Sequence, residues 1–291
     1  MITSGTRVDA FMPAIEHPLM AVNYHLYRPC NLRCRFCFAT FRDVKGRLPL
    51  EETRRLLALL RAAGTRKINF AGGEPTLHPE IGPIIAEARR LGFTVSLITN
   101  GARLDALLDA QASDLDWVGL SVDSADEATQ AALGRGDGEH VTRSLALAAR
   151  IRAAGIRLKL NTVVTALNWR EDMRPFVRLI RPERWKVFQV LPVEGQNDGK
   201  VEPLLITATE LDAFVARHRT LARDGLAPIV EDNDAMTGSY AMIDPIGRFY
   251  CNTAGRHTYS DPILEAGVEA AAAQVGFRFE RLVERGGLYP W

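Results

Sequence analysis

The chain has 291 residues, of which 47% are hydrophobic and 24% are charged, and its formal net charge at pH 7 is +1. This composition is ordinary for a soluble protein of one or two domains, and a near-neutral chain has no overall attraction for nucleic acid or for an anionic membrane. No segment approaches the roughly 18 consecutive apolar residues of a membrane span, and residues 1–18 show no targeting signal. We therefore expect a cytoplasmic protein in which any anion-binding site is a local cluster of cations.

Short β-like runs alternate with longer helical runs along the first two thirds of the chain. The pattern predicts strands at residues 20–27, 67–71, 94–99, 117–121, 158–164 and 185–191. It predicts helices at residues 49–63, 81–91, 104–111, 127–132, 141–154 and 171–179. Six consecutive βα units predict a parallel sheet with right-handed crossovers. Since a closed barrel has eight units, we expect an open, partial α/β barrel.

The pattern changes after residue 195, where a polar, turn-rich loop begins. Residues 207–221 and 263–275 are predicted to be helices, and residues 240–251 a hairpin. We therefore divide the chain into an N-terminal arm (1–19), a barrel core (20–195) and an extension of the same domain (196–291). The extension is expected to close over the mouth of the barrel.

Four predicted strands carry polar residues on a single face, because residues i and i+2 of a strand point the same way. The residues that share this phase are Asn23 and His25, Lys67 and Asn69, Lys159 and Asn161, and Arg184 and Lys186. A parallel strand buried on both faces should be almost entirely apolar. Solvent-exposed strand ends would explain any one of these cations. Four strands with the same phase instead favour a polar lumen that holds a ligand.

Three cysteines lie within eight residues, in the sequence CNLRCRFC at residues 30–37. Thiolates suit iron–sulfur clusters and zinc. Cys30, Cys34 and Cys37 would leave one iron of a [4Fe–4S] cluster without a protein ligand, free to hold a small molecule. A structural zinc site has four ligands and remains an alternative, with His25 as the fourth. Cys251 stands alone and is expected to be a buried small hydrophobe.

The cysteine spacing and the Gly-Gly-Glu-Pro sequence at residues 72–75 resemble the radical S-adenosylmethionine (SAM) enzymes. Longer strings at residues 21–25, 67–70, 184–189 and 285–287 resemble the viperin family within that superfamily. The resemblance runs from about residue 21 to residue 291. It implies a partial (β/α)6 barrel with a [4Fe–4S] cluster and SAM as cofactors. Animal viperins also carry an N-terminal amphipathic membrane helix, which is not found here, so a soluble, bacterial-type relative is implied.

The resemblance also assigns roles to individual residues. The SAM-binding residues it implies are Gly72, Gly73, Glu74, Thr99, Asn100, Ser121, Asp123 and Arg135. Those implied for a nucleoside triphosphate are Asn23, Lys67, Lys159, Asn161, Arg184, Lys186 and Arg285. Tyr240 matches a proposed proton donor, although a buried core phenol with one hydrogen bond is an equally good interpretation of that residue.

The function implied by the resemblance is the conversion of a ribonucleoside triphosphate to its 3′-deoxy-3′,4′-didehydro analogue, an antiviral chain terminator. CTP is the first expectation, with UTP or GTP as alternatives. The implied partners are this nucleotide and a one-electron donor of the flavodoxin or ferredoxin type, and we expect a monomer that binds neither nucleic acid nor membrane. Two alternatives remain open: a radical SAM enzyme for peptide modification or nucleotide cyclisation, and a non-catalytic iron–sulfur or zinc protein.

Overall fold

A computed structural model describes residues 18–291, so residues 1–17 of the predicted N-terminal arm lie outside the described part. The strands are β1 Ala21–Tyr27, β2 Lys67–Gly72, β3 Thr94–Thr99, β4 Trp117–Ser121, β5 Arg157–Val164, β6 Arg184–Gln189, β7 Pro228–Glu231, β8 Ala241–Ile243, β9 Arg248–Cys251 and β10 Thr258–Pro262. They form one sheet in the order β10-β9-β8-β1-β2-β3-β4-β5-β6-β7. The six predicted βα strands are confirmed, and they lie side by side in chain order.

The helices of the βα units cover the outer face of this sheet. The helices are α1 Leu50–Ala62, α2 Ile81–Arg90, α3 Leu104–Gln111, α4 Glu127–Ala132, α5 His140–Ala153, α6 Arg174–Ile180, α7 Ala208–His218, α8 Asn233–Met236, α9 Ile263–Ala266, α10 Val268–Ala272 and α11 Phe279–Glu284. Residues of α8 and α11 line the lumen. Gly64, Gly92 and Gly155, which follow α1, α2 and α5, have positive φ angles of 94°, 78° and 73°. Glycine reaches this conformation without steric cost, so the helices end there.

Along each of these strands, the side chains alternate between the two faces of the sheet as predicted from the sequence. The phase that faces the helices is apolar and fully buried, with Tyr24, Phe70, Leu97, Leu120, Leu160 and Val187 among its members. The opposite phase faces the lumen of the partial barrel. The register aligns the polar residues of neighbouring strands: Asn23 pairs with Asn69, Lys159 with Arg184, and Asn161 with Lys186. Burial of the apolar phase under the helices therefore fixes which side chains enter the lumen.

Two predictions about elements were wrong. The predicted helix at 263–275 is interrupted at Gly267, whose φ of 84° separates α9 from α10. The predicted helix at 171–179 begins only at Arg174, because the Asp172 side chain accepts the Arg174 backbone N–H and Pro175 occupies the first turn. Asp and Pro at these positions are typical of a helix start. In contrast, α7 begins where predicted, because the Thr207 side chain accepts the Glu210 backbone N–H and the Glu210 side chain accepts that of Thr207.

The extension contributes to both edges of the sheet. β7 pairs parallel with β6, whereas β8 pairs parallel with β1 and leads into the predicted hairpin with β9. The loop near residue 196 packs at the mouth, where the Gln196 side-chain oxygen accepts the Phe41 backbone N–H at 2.7 Å. The last residues instead cross the amino ends of the strands. The extension therefore closes the lumen from two ends. No helix in residues 18–291 is long and apolar enough to cross a membrane.

Candidate active site

The lumen forms a cavity of about 840 Å³ that runs from the cysteine loop to the amino ends of the strands. Every predicted site residue lines this cavity except Thr99, which is buried behind it. The sheet therefore brings together side chains that are up to about 250 residues apart in sequence. Since the carboxyl ends of parallel strands carry ligand sites in α/β proteins, the cysteine end is the expected place for chemistry.

The three motif cysteines lie on the loop that follows β1, at the carboxyl ends of the strands. All three are free thiols, and the Cys30 sulfur accepts the Leu32 backbone N–H at 3.4 Å. No three Cys, His, Asp or Glu side chains between residues 18 and 291 converge on a single ion. A zinc ion needs its ligands about 2.0–2.3 Å away, whereas a four-iron cluster takes sulfurs that are further apart. Three thiols suffice for a cluster with one open iron, whereas a structural zinc site needs four ligands.

The thiols are held in an apolar environment. Burial raises the pKa of Cys34 to about 12, and it raises the pKa of Cys30 and Cys37 as well. A bound metal would deprotonate these groups and supply the charge that burial disfavours. Phe36 covers one side of the loop and is itself buried. The site is therefore suited to a cluster shielded from solvent.

The glycines after β2 are required by the neighbouring backbone. A Cβ on Gly73 would lie 2.1 Å from the Arg28 carbonyl oxygen, and a Cβ on Gly72 would lie 2.4 Å from that of Tyr27. The turn is thus pressed against the start of the cysteine loop. This contact fixes the distance between the cysteines and the turn predicted to contact SAM.

Glu74 holds the neighbouring turn in place. Its buried carboxylate accepts hydrogen bonds from the Thr99 hydroxyl at 2.5 Å, the Asn100 backbone N–H at 2.7 Å and the Thr76 hydroxyl at 2.7 Å. The Asn100 side chain then donates to Asn31 at 2.9 Å in the cysteine loop. Glu74 and Thr99 therefore position Asn100, which lines the cavity beside the cysteine loop.

Arg135 forms a buried ion pair with Asp123 on the wall beside the cysteines. Asp123 also accepts the Val163 backbone N–H at 2.9 Å, so this carboxylate is fixed to the sheet. The Arg135 guanidinium carbon lies 5.5 Å from the centre of the Phe36 ring. An Arg oriented in this way presents its remaining N–H groups to the cavity, where a carboxylate could accept them. Ser121 lies nearby at the end of β4.

The other end of the lumen is cationic. Lys67 and Lys159 are 1% and 4% exposed, and neither has a carboxylate partner among the described residues. Burial lowers the pKa of Lys67 to about 7 and lowers that of Lys159 well below its usual value. Buried cations without a counterion are destabilising unless a ligand supplies the charge. Their presence here indicates a polyanion site.

Glu231 is the single carboxylate among these cations in the described part of the chain. Its oxygen Oε1 lies 2.5 Å from Lys186 Nζ and 3.2 Å from Arg285 Nη1. Tyr240 donates its hydroxyl proton to the other carboxylate oxygen, and Lys186 lies 2.6 Å from the Tyr240 oxygen. Burial raises the pKa of Tyr240 well above its usual value. Tyr240 is therefore a protonated phenol that lines the cavity and takes part in a charged network.

A model of the radical SAM superfamily matches residues 24–180. This chain belongs to the radical SAM superfamily. Its cofactors are accordingly a [4Fe–4S] cluster and SAM. The S-adenosylmethionine-dependent nucleotide dehydratase of Flammeovirga pacifica is 45% identical over 93% of this chain and 96% of its own length. The dehydratase RSAD2 of Oncorhynchus mykiss is 34% identical over 93% of this chain and 80% of its own. The resemblance to the viperin family is thereby confirmed.

Solved structures support the fold of this radical SAM enzyme. Streptococcus suis SuiB bound to S-adenosylmethionine superposes with a TM-score of 0.64 at 18% identity, covering 79% of this chain and 59% of SuiB. At that identity the likeness concerns the fold alone. It confirms the prediction of an open radical SAM barrel.

One residue in the cavity network of the enzyme, Glu231, was not predicted. Glu231 ends β7, a strand that the sequence reading missed because it has four residues and begins with a proline. Asn69 shares the polar phase of Lys67 and donates to the Asn23 side chain at 2.8 Å. The phase of β2 predicted this position for Asn69. No sequence signal could have identified Glu231, since its partners lie on β6, before β8 and near the end of the chain.

Proposed function

We propose that this enzyme dehydrates a ribonucleoside triphosphate to the 3′-deoxy-3′,4′-didehydro nucleotide, a chain terminator for polymerases. The observation that carries the proposal is the arrangement of one lumen, with three cysteines at its carboxyl end and five cations at its amino end. The similar curated proteins, which are named SAM-dependent nucleotide dehydratases, support the reaction class. CTP is the first substrate to test, with UTP and GTP beside it.

The net charge at the amino end of the lumen supports a triphosphate as the substrate. At its amino end the lumen is lined by the five cations Lys67, Lys159, Arg184, Lys186 and Arg285, and the buried carboxylate of Glu231 contacts two of them, which leaves about four positive charges at that end when all are ionised. A fully ionised triphosphate carries about four negative charges, given that a phosphate monoester has a second pKa of about 6. The binding of such an anion would neutralise the buried cations and raise the lowered pKa of Lys67, Lys159 and Lys186.

The depth of the lumen supports one orientation of the nucleotide, with its phosphates at the cations and its ribose towards the cysteine loop. β2 runs from Lys67 at the cation cluster to Gly72 beside the cysteine loop, and five steps of about 3.3 Å give a lumen about 17 Å deep. A nucleotide whose phosphates contact the cations would therefore place its ribose towards SAM. The amide oxygens of Asn69 and Asn161 are buried between the two ends with no hydrogen-bond partner among the described residues. Ribose hydroxyls or base edges are suitable donors for them.

The cofactors and the side chains have separate roles in the proposed reaction. When bound, the cluster and SAM supply the radical that removes a hydrogen atom from the substrate. Over the reaction the ribose loses its 4′ hydrogen atom and its 3′ hydroxyl, and one electron and one proton complete the departure of the hydroxyl as water. We assign the proton to Tyr240, with Lys186 and Glu231 within hydrogen-bond reach to hold the phenol and return its proton.

The electron would come from a flavodoxin- or ferredoxin-type donor. Five exposed cations surround the cysteine loop in sequence: Arg28, Arg33, Arg42, Lys45 and Arg47. Asp43 is the single acidic residue between residues 28 and 47. A basic surface of this kind attracts an acidic redox partner and speeds its encounter. We include this contact in the proposal for the monomeric enzyme.

The experiment uses the anaerobically reconstituted enzyme with SAM and a chemical reductant. CTP, UTP, GTP and ATP are supplied separately, and 5′-deoxyadenosine and the nucleotide mass are measured. We expect one triphosphate to stimulate SAM cleavage far more than its monophosphate and to yield a product lighter by one water. Lys186→Ala should raise the apparent KM for that triphosphate without changing SAM affinity, whereas the exposed control Lys45→Ala should change neither.

A different result would reject the proposal. If no triphosphate stimulates SAM cleavage while a peptide does, the chain is a radical SAM enzyme of another substrate class. If Lys186→Ala and Lys45→Ala have equal effects on KM, the lumen cations do not hold the phosphates.

A further inference from the structure

The last residues of the chain form a floor beneath the lumen, defined here as residues 286–291. Arg184, the first residue of β6, donates to the Gly286 carbonyl at 2.8 Å. Arg157, the first residue of β5, donates to the Pro290 carbonyl at 3.0 Å. The floor is therefore attached to the amino ends of the strands, opposite the cysteine loop.

Tyr289 of this floor meets the cation cluster directly. Lys67 Nζ donates to the Tyr289 hydroxyl at 2.6 Å. The Arg184 guanidinium carbon lies 3.9 Å from the centre of the Tyr289 ring, and Lys159 Nζ lies 5.4 Å from it. One phenol thus contacts three of the cations assigned to the phosphates. A negative ring face over cations is favourable and holds the ring in place.

Two tryptophans fix the orientation of that phenol. The rings of Trp117 and Trp291 meet the Tyr289 ring edge-on, with centroid distances of 5.8 Å and 5.7 Å. Lys67 Nζ lies 4.9 Å from the centre of the Trp291 ring, so the ammonium is enclosed by aromatic faces. Edge-on packing on two sides restricts rotation of the phenol. Its hydroxyl is therefore held at a fixed depth in the lumen.

The phenol has a proton to donate. A protonated lysine is a donor only, so in the contact with Lys67 the Tyr289 oxygen is the acceptor. The hydroxyl hydrogen of Tyr289 has no acceptor among the described residues. An anion that reaches Lys67 would receive this second hydrogen bond as well.

We propose that Tyr289 determines the number of phosphates the enzyme accepts, by donating a hydrogen bond to the terminal phosphate of a triphosphate. The inference rests on the proposed function and extends it to a specificity-determining residue. With the ribose held near SAM, a diphosphate would stop short of the floor and leave Lys67 and Tyr289 without an anion. A site built to hydrogen-bond a group discriminates strongly against the analogue that lacks it.

The test measures binding and turnover separately. Tri-, di- and monophosphates of each base are titrated by calorimetry into the reconstituted, SAM-bound enzyme and into Tyr289→Phe. Wild type should prefer one triphosphate to its diphosphate, and Tyr289→Phe should reduce that ratio by about ten- to a hundredfold, the range expected for a hydrogen bond to a charged group. Diphosphate and SAM affinities should stay unchanged. Tyr259→Phe, in the edge strand β10, removes a phenol hydroxyl outside the cavity and should leave the ratio unaltered.

Two results would overturn the inference. One is an equal loss of tri- and diphosphate affinity in Tyr289→Phe, which would mean that the phenol only supports the fold of the floor. The other is an unchanged ratio. Mass spectrometry of the wild-type product tests the proposed function separately from these binding measurements. If the enzyme prefers the triphosphate to the diphosphate but forms no dehydrated nucleotide, the proposed function is refuted and the inference about Tyr289 is not.

Discussion

Lys67 should destabilise the ligand-free protein, and its replacement by methionine should reveal by how much. The side chain is 1% exposed, and burial lowers its pKa from 10.5 to about 7. A lysine whose folded pKa lies below its unfolded value binds fewer protons in the folded state between those two pH values. Stability therefore rises with pH from about 7 to 10.5, and the full penalty is present below pH 7.

The pKa difference sets the magnitude. A shift of 3.5 units at about 1.4 kcal/mol per unit gives an upper limit of about 5 kcal/mol below pH 7, falling to about 3 kcal/mol at pH 8. The surrounding rings of Trp117, Tyr289 and Trp291 offset part of this through cation–π contacts, by roughly 2 kcal/mol. Methionine has a similar length and no charge. We therefore expect Lys67→Met to stabilise the protein by about 2–3 kcal/mol near pH 7.

Thermal unfolding of the reconstituted protein measures this effect. A gain of 2–3 kcal/mol corresponds to a rise in Tm of about 4–6 °C for a chain of this size. The rise should shrink from pH 7 to pH 9, and the exposed control Lys45→Met should change Tm little. A triphosphate should raise the Tm of wild type but hardly that of Lys67→Met.

The reasoning fails if Lys67→Met has a lower Tm than wild type at pH 7, or if its advantage grows with pH. Either result would mean that the Lys67 ammonium is already stabilised in the ligand-free protein and does not need a bound anion.

Three further predictions concern the other parts of the cavity. Cys37→Ala should abolish the electron paramagnetic resonance signal of the reduced cluster, whereas Cys251→Ala should preserve it; loss of the signal in a folded Cys251→Ala would contradict the three-cysteine assignment. Arg135→Ala should weaken SAM binding by about 1.5–3 kcal/mol in calorimetry, because a carboxylate loses a charge-assisted partner, and an unchanged SAM affinity would refute that placement. Glu231→Gln keeps the shape but removes the anion that competes with phosphate, so triphosphate affinity should rise while product formation through Tyr240 falls; weaker triphosphate binding would show that Glu231 mainly positions the cations.

The sequence by itself determined the strands of the core and the face that each side chain occupies. Alternation along a strand is a local property, so the lumen phase of Lys67, Lys159 and Lys186 could be predicted before their neighbours were known. The three cysteines likewise lie within eight residues, so their spacing could be recognised without any tertiary information.

Tertiary structure alone decided the contacts between distant segments. Glu231 lies on a four-residue strand whose place beside β6 comes from sheet pairing, and its partner Arg285 is 54 residues away in the chain. Tyr289 reaches Lys67 across 222 residues because the floor is bound to the amino ends of β5 and β6. The glycines at residues 72 and 73 lie in the turn predicted to contact SAM, and only the folded chain shows that Tyr27 at the end of β1 and Arg28 and Pro29 after it lie against them. Local periodicity fixes the direction of a side chain, but which groups it meets depends on register and on long-range packing, where small differences in burial and pairing select one arrangement.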